Sequence, residues 1–188
     1  MLTEKNHEKY TGEWAGNNRH GKGKLVLLDG SIYEGYWLND LKCGFGRYIH
    51  VDGDVYIGHW KDDMMDGYGT YTHQDGAQYE GEWEKDQHHG VGRETWDDGA
   101  IYNGQYVNGK KHGVGKFTWQ DGSTFEGEFI NNKMEGRGAY SWTDGRKYNG
   151  DWSDNMMHGF GHFTFEDGRE YQGEYVNDKK QGTGIFRW

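Results

Sequence analysis

The sequence predicts an all-β protein, a single elongated and twisted antiparallel β-meander of repeated hairpins, solenoid-like and without a globular core. Three observations predict this fold. An aromatic-x-Gly-x-aromatic motif occurs eight times at a constant spacing of 23 residues, a Gly-x-Gly motif follows each copy in phase, and Asp-Gly ends seven of the eight units. A fixed period without insertion or deletion indicates one small unit stacked on itself.

The first segment of each unit is a predicted strand. Side chains alternate between the two faces of a strand, so this motif places two rings and a glycine on one face. The leading aromatics are Tyr10, Tyr33, Tyr56, Tyr79, Tyr102, Phe125, Tyr148 and Tyr171. The second aromatics are Trp14, Trp37, Trp60, Trp83, Tyr106, Phe129, Trp152 and Tyr175.

The Gly-x-Gly pair begins a second predicted strand, in which Phe117 and Trp119, or Tyr140 and Trp142, share a face with the glycines. Six polar residues separate the two strands of a unit, as in VNGKKH at 107–112, and we expect them to form a loop. Asp-Gly connects consecutive units and is a strong turn signal, because glycine tolerates positive φ.

We expect rings to lie opposite small or polar residues across neighbouring strands. A turn centred on the glycine of Asp-Gly would place Tyr106 opposite Gly92 and Gly104 opposite Glu94. The glycine content of each unit argues against helix, since each glycine costs about 1 kcal/mol relative to alanine in a helix.

Composition alone would suggest disorder, because Leu, Ile, Val and Phe make up only 27 of 188 residues and the net charge is -10. The period favours a folded chain instead. The sequence holds 9 Trp, 14 Tyr and 8 Phe, and these large rings can replace an aliphatic interior. We therefore expect a sheet with an aromatic spine.

The sequence favours a cytoplasmic protein. Cys43 is the single cysteine, so no internal disulfide is expected. Neither a membrane-spanning apolar run nor a signal peptide is expected from the sequence. The acidic balance disfavours nucleic acid, which requires a basic surface.

The unit YEGEWEKDQHHGVGRETWDDG (79–99) resembles the MORN repeat, and the resemblance covers Tyr10 to Trp188. We expect an N-terminal extension at 1–9 and a repeat array at 10–188. The repeats start at 10, 33, 56, 79, 102, 125, 148 and 171. The resemblance implies an elongated sheet with a concave groove for a partner segment. Similar arrays occur as cytoskeletal and ciliary scaffolds and fused to lipid kinases, and some members self-associate or contact phospholipid.

The aromatic face of the middle units is the first candidate site, although the same rings would also serve as the structural spine. A single-layer sheet leaves part of such a face open to a peptide or helix. The predicted groove residues are Tyr56, Trp60, Tyr79, Trp83, Tyr102, Tyr106, Phe125 and Phe129. Glu94 lies in the ring column, where it would contact a basic partner residue or be solvated.

The polar connections between strands form a second candidate, a contact edge for lipid headgroups or protein. Adaptable methionines lie there beside lysines, although solvated loops with incidental methionines would look the same. The predicted edge residues are Met64, Met65, Lys110, Lys111, Met156, Met157, Lys179 and Lys180. The terminal strands near Tyr10–Trp14 and Thr183–Trp188 could pair with a second copy to form a homodimer.

We expect no enzyme activity, no cofactor and no metal. Equivalent histidines in adjacent units would lie about 10 Å apart, too far to share one zinc ion. Two hypotheses follow. The first is a scaffold that binds a partner protein in its aromatic groove, in a cytoskeletal, ciliary or cortical assembly. The alternative is a membrane-apposed module that binds anionic phospholipid, as part of a longer enzyme such as a lipid kinase.

Overall fold

The computed structural model describes residues 8–188, and every regular element in this range is a β-strand. Each strand pairs antiparallel with its neighbours in sequence, so sixteen strands follow one another in chain order in one open sheet. The predicted all-β meander of hairpins is therefore confirmed. The chain divides after His88 into two compact units, called here unit 1 (to residue 88) and unit 2 (89–188).

Strands of seven and nine residues alternate. Unit 1 contains β1 (Lys9–Ala15), β2 (Asn18–Val26), β3 (Ile32–Leu38), β4 (Leu41–Ile49), β5 (Val55–Lys61), β6 (Met64–Thr72) and β7 (Gln78–Glu84). The division falls within β8 (Gln87–Thr95). Unit 2 continues with β9 (Ile101–Val107), β10 (Lys110–Thr118), β11 (Thr124–Ile130), β12 (Lys133–Ser141), β13 (Lys147–Ser153), β14 (Met156–Thr164), β15 (Glu170–Val176) and β16 (Lys179–Arg187). Most of the expected N-terminal extension, residues 1–7, lies outside the described residues.

Only two residues join the strands of a hairpin, as Asn39 and Asp40 do between β3 and β4. Both have positive φ, 49° and 69°, as in the type I′ turn that suits a two-residue hairpin. The prediction of a six-residue loop was therefore wrong. Asn and Asp tolerate positive φ, so the flanking polar residues extend the strands. A bulge at Gly44, with φ 60°, then restores the pairing of Gly35 with Gly46.

The predicted pairing across the Asp-Gly connection was also wrong. In unit 2 Gly92 pairs with Gly104, and Tyr106 lies opposite Gly90. The connection uses five residues, because the amide of Trp96 donates to the Ala100 carbonyl at 3.0 Å. The connection is therefore centred on Asp98 and not on Gly99 as expected, which shifts the following strand. Glycine therefore lies opposite glycine along the sheet.

The paired glycines make room for the leading aromatic rings. A Cβ atom added to Gly46 would lie 2.5 Å from the Tyr33 hydroxyl oxygen, closer than packed atoms allow. The Tyr33 hydroxyl donates to the Tyr36 carbonyl at 3.0 Å, and Trp60 Nε1 donates to the Gly46 carbonyl at 3.3 Å. The rings of Tyr33 and Trp60 are thus buried with their polar atoms satisfied. Burial raises the pKa of Tyr33, so its hydroxyl stays a neutral donor.

The sheet has two distinct faces. The aromatic face carries the leading and second aromatics, which meet edge to face at centroid distances such as 5.1 Å for Tyr33 and Trp37 in unit 1 and 5.2 Å for Tyr102 and Phe129 in unit 2. The outer face carries the intervening residues of each strand, such as the exposed Glu34. The described part of the protein contains no helix that could span a membrane.

Six of the hairpin turns also bind the repeat before them through a side chain. Asp40 Oδ1 accepts a hydrogen bond from the Arg19 amide at 2.7 Å, and Asp63 Oδ1 accepts one from the Lys42 amide at 2.7 Å. Asn132 makes the same bond to the Lys111 amide in unit 2. The turn residues therefore join consecutive repeats through side chains, in addition to the strand pairing.

Candidate functional site

The rings that we predicted for the groove form the buried spine. None of the eight is more than 8% exposed. Four lie in unit 1 and four in unit 2, and their burial leaves little ring area for a partner to touch. The face they occupy remains the candidate surface, but the atoms available on it belong to other residues.

Glu94 is engaged within unit 2. Its Oε2 accepts hydrogen bonds from Lys111 Nζ at 2.9 Å and from the Tyr106 hydroxyl at 2.8 Å. Lys111 Nζ also lies 4.6 Å from the centroid of Trp96, a cation–π distance. The lysine side chain is only 14% exposed. A basic partner residue at Glu94 would therefore compete with an ion pair that this chain already makes.

A second row of rings provides the accessible part of the aromatic face in unit 2. We call it the ring ladder. Its members, in chain order, are Trp96, Phe117, Trp119, Tyr140, Trp142, Phe163, Phe165, Phe186 and Trp188. Successive rings have centroids 4.5–5.7 Å apart and are tilted by 32–56°. All except the buried Phe163 are partly or largely exposed.

Sequence reasoning placed some of these rings on the correct face but did not choose them as a site. Phe117 and Trp119 were recognised as sharing a face with the glycines. The groove residues were instead chosen from the aromatic-x-Gly-x-aromatic columns, in the units furthest from the ends. The useful signal was position: Trp96, Trp119 and Trp142 each follow the last residue of a strand and begin the connection that contains Asp-Gly, where burial is incomplete.

Acidic side chains accompany the ring ladder. Asp97 and Asp98 follow Trp96, and exposed Glu166 follows Phe165. Part of this charge is neutralised within the unit, since Arg146 Nε binds Asp144 at 2.8 Å and Arg169 Nε binds Asp167 at 2.7 Å. Both guanidinium groups also lie over ladder rings, 5.1 Å from Trp142 and 5.4 Å from Phe165. The Trp96 end of the ladder is therefore more acidic than the Phe165 end.

The residues of the predicted lipid edge are divided between the two faces. Met65 pairs with Trp60 and thus lies on the aromatic face of unit 1, while its neighbour Met64 lies on the outer face. In unit 2, Lys180 Nζ lies 4.5 Å from the Tyr171 centroid, again on the aromatic face. Lys179 is exposed and pairs with Val176 on the outer face.

In unit 1 the positions that correspond to the ladder carry smaller and more polar rings. Tyr48, His50, Tyr71 and His73 follow one another at centroid distances of 4.5, 6.0 and 4.8 Å. Asp54 accepts hydrogen bonds from the Tyr71 hydroxyl at 2.9 Å and from His73 Nδ1 at 3.0 Å. These rings are held by a carboxylate of the same chain.

No cluster of histidine, cysteine, aspartate and glutamate suited to a metal ion is present among residues 8–188. Cys43 is a free thiol on the outer face of unit 1, paired with Tyr36. Burial raises the pKa of this thiol, with a smaller contribution from Asp62. A raised pKa lowers the fraction of reactive thiolate.

The fold and the spine define this chain as an array of β-hairpin repeats. The sequence profile of the MORN repeat matches residues 10–32, 33–55, 56–78, 79–101, 102–124, 125–145, 148–168 and 171–188. The protein therefore belongs to the MORN-repeat family, as the sequence resemblance predicted. A comparison with curated protein sequences found no matching relative.

Two solved structures share the fold at low sequence identity. One is the SAS-4 (dCPAP) TCP domain of Drosophila melanogaster in complex with a proline-rich motif of Ana2 (dSTIL). It is 9% identical, with a TM-score of 0.50 and coverage of 88% of both chains. The other is the G-box domain of the microcephaly protein CPAP, whose analysis suggests a role in centriole elongation. It is 9% identical, with a TM-score of 0.53 and coverage of 97% of this chain and 99% of that chain.

Proposed function

We propose that this protein is a non-enzymatic scaffold that binds a segment of a partner protein along its aromatic face. The observation that carries the proposal is the ring ladder of unit 2. Its rings are continuous, and all but Phe163 are partly or largely exposed, whereas the spine rings of unit 2 on the same face are buried. Exposed aromatic surface of this extent is typical of protein-binding sites.

The buried rings predicted for the groove have a supporting part in this proposal. Tyr102 contacts Phe117 of the ladder at a centroid distance of 6.3 Å, and Trp152 contacts Tyr140 at 6.1 Å. The spine rings thus pack beside the ladder rings on the same face and help to fix their positions. A partner would contact the ladder and be affected by the spine only indirectly.

A cytoskeletal setting is the proposed location. The resemblance to MORN scaffolds favours it, and two proteins with the same fold add support, one bound to a proline-rich motif and one with a suggested role in centriole elongation. The proposed location includes ciliary and cortical assemblies. Cross-linking mass spectrometry on native cells would identify the partner and the face that it touches.

Phospholipid binding is the weaker candidate. The net charge of -10 opposes an anionic bilayer, and the methionine and lysine pairs are split between two faces. Liposome flotation tests it directly: this candidate requires binding to anionic vesicles at low salt. Homodimer formation through the terminal strands stays a prediction, to be tested by measuring the molar mass in solution.

The test of the scaffold proposal compares two variants of the full chain. Trp119→Ala combined with Trp142→Ala removes two ladder rings, while Phe160→Ala removes an exposed ring from the outer face of the same unit. We expect the ladder variant to lose the native partner in quantitative affinity purification and the outer-face variant to retain it. Circular dichroism and thermal unfolding should show that both variants stay folded. Equal recovery of the partner by both variants would refute the proposal.

A further inference from the structure

We infer that the ring ladder binds a basic segment in the polyproline II conformation with proline at every third residue. The inference rests on the proposed function and specifies the chemistry of the partner. It depends on three features of unit 2: the spacing of the ladder rings, the pairing of the strands beneath them, and the charge beside them.

The spacing of the ladder matches one turn of a polyproline II helix. The ladder runs across the strands, and each repeat contributes two strands, which advance about 9.6 Å at the usual strand spacing. The ring centroid of Phe117 lies 5.2 Å from that of Trp96 and 4.6 Å from that of Trp119. These two distances are consistent with an advance of about 9.6 Å from Trp96 to Trp119. Polyproline II has three residues per turn and a rise of about 3.1 Å per residue, or about 9.3 Å per turn. A proline at every third position would therefore meet one indole in each repeat.

The strand pairing disfavours other ways of binding an extended segment on this surface. The strands under the ladder from β9 to β15 have partners on both sides, so their main chain offers no edge for an added strand. Polyproline II needs no such edge, since it has no internal hydrogen bonds and docks through its side chains on aromatic surfaces. The ladder rings other than Phe163 are partly or largely exposed, and we expect proline rings to contact their exposed parts. A helix would need a groove for a stripe about two side chains wide, whereas the ladder is a single row.

The charge beside the ladder favours lysine or arginine between the prolines. Asp97 and Asp98 lie beside Trp96, Asp121 lies beside Trp119, and the two connections, 96–100 and 119–123, include no arginine or lysine. Lys111 Nζ lies 4.6 Å from the Trp96 centroid, but its charge is offset by the ion pair with Glu94 at 2.9 Å, so the charge of the three aspartates remains. At the other end, Arg146 and Arg169 pair with the local aspartates. A bound segment should therefore place its basic residues nearest Trp96 and Trp119.

The test uses three synthetic peptides of twelve residues with the intact protein. The first has four Pro-Ala-Lys triplets. The second has the same composition, with its prolines two and four residues apart. The third replaces every proline with alanine and favours helix. We expect the first peptide to bind about tenfold more tightly than either control in titration calorimetry. Shortening it from four triplets to two should weaken binding further.

Protein variants locate the binding site. Trp119→Ala should weaken the first peptide about fivefold or more, while Trp119→Phe, which keeps a ring, and Phe160→Ala on the outer face should change the affinity less than twofold. Asp97→Asn should weaken binding about twofold and reduce its salt dependence. Its control is Glu126→Gln on the outer face, where the carboxylate is 68% exposed, and there we expect no change.

The outcomes separate this inference from the scaffold proposal. Equal binding of the first two peptides, or tighter binding of the helical peptide, would reject the three-residue match. An unchanged affinity in Trp119→Ala would reject the ladder as the peptide site. If no peptide binds but Trp119→Ala with Trp142→Ala still loses the native partner, the polyproline II inference fails and the scaffold proposal stands.

Discussion

Unit 1 and unit 2 share one spine but differ at the exposed ring positions of the aromatic face. Unit 1 has His50 and His73 where unit 2 has Trp96, Trp119 and Trp142. The histidines of unit 1 lie among tyrosines, and Asp54 binds His73, whereas the tryptophans of unit 2 continue an apolar row. The difference shows that the same spine supports the fold in both units, while the exposed ring positions of the aromatic face can carry different residues.

One outer-face position also varies between repeats. Tyr36 in unit 1 occupies the position that Gln105, Glu128 and Asp151 occupy in unit 2. In unit 2 these polar side chains accept main-chain hydrogen bonds at the bulge, as Gln105 Oε1 does from the Val114 amide at 2.9 Å. Tyr36 is exposed instead. Outer-face residues thus vary without any change in strand pairing.

The largest expected effect comes from breaking the spine that both units share. Gly46→Ala in unit 1 and Gly161→Ala in unit 2 would each force a methyl group into a tyrosine ring that is packed from both sides. We expect each to lower the free energy of unfolding by about 3 kcal/mol, at the upper end of typical overpacking costs. Chemical denaturation monitored by tryptophan fluorescence would measure the change.

Gly76→Ala is the matched control for these two variants. Gly76 has φ 95°, and an added Cβ would have no neighbour within 4 Å, so only backbone strain of about 1–2 kcal/mol is expected. If Gly46→Ala lowers the free energy of unfolding no more than Gly76→Ala does, the explanation that ring packing requires glycine at position 46 is wrong.

Two leading aromatics of the spine, Tyr102 and Phe125, differ by a single hydroxyl group. The Tyr102 hydroxyl donates to the Gln105 carbonyl at 3.1 Å, but Phe125 in the next repeat has no hydroxyl to donate to Glu128. We expect Tyr102→Phe to destabilise the protein by about 1 kcal/mol and Phe125→Tyr to stabilise it by a similar amount. Denaturation midpoints that move in the same direction for both variants would contradict this explanation.

The smallest expected effect concerns the polar rings of unit 1. Burial alone would raise the pKa of Asp54, but hydrogen bonds from the Gln74 amide, Tyr71 and His73 outweigh it and leave the pKa lowered. A lowered pKa in the folded state stabilises the protein above the unfolded value near 3.9, and this contribution is lost as the pH falls through the folded value. Asp54→Asn should therefore destabilise the protein at pH 6 and have less effect at pH 3. Urea unfolding at both pH values would measure the difference, and an equal effect at both would contradict the assignment.

The repeat period allowed the fold to be predicted from the sequence, but the details of strand pairing depended on turn chemistry. The motif beginning at Tyr102 identified the strand and its buried face. The two-residue turn at Asn39 and Asp40 was missed, because polarity was interpreted as a loop although both residue types tolerate positive φ. The five-residue connection that begins at Trp96 was missed because Asp-Gly also suits a shorter turn.

The sequence could predict which face of the sheet carries the candidate site, but not which residues on that face are exposed. Alternation placed Tyr106 and Trp119 on the same side of the sheet, but it carries no information on which ring covers which. Tyr106 is buried, whereas Trp119 follows the last residue of β10 and is partly exposed. Separating the two requires the three-dimensional packing of adjacent strands. The ion pair of Glu94 with Lys111 spans 17 residues and was hidden for the same reason.

Because Asp40 and Asp63 each bind the main chain of the preceding repeat, one added residue within a repeat would displace these contacts. Within a strand, the same addition would also turn the side chains of the remainder of that strand to the opposite face. Duplication or loss of a whole repeat preserves all of these contacts. Arrays of this kind can therefore change length during evolution only in whole hairpins, and each gained hairpin brings its own pair of rings.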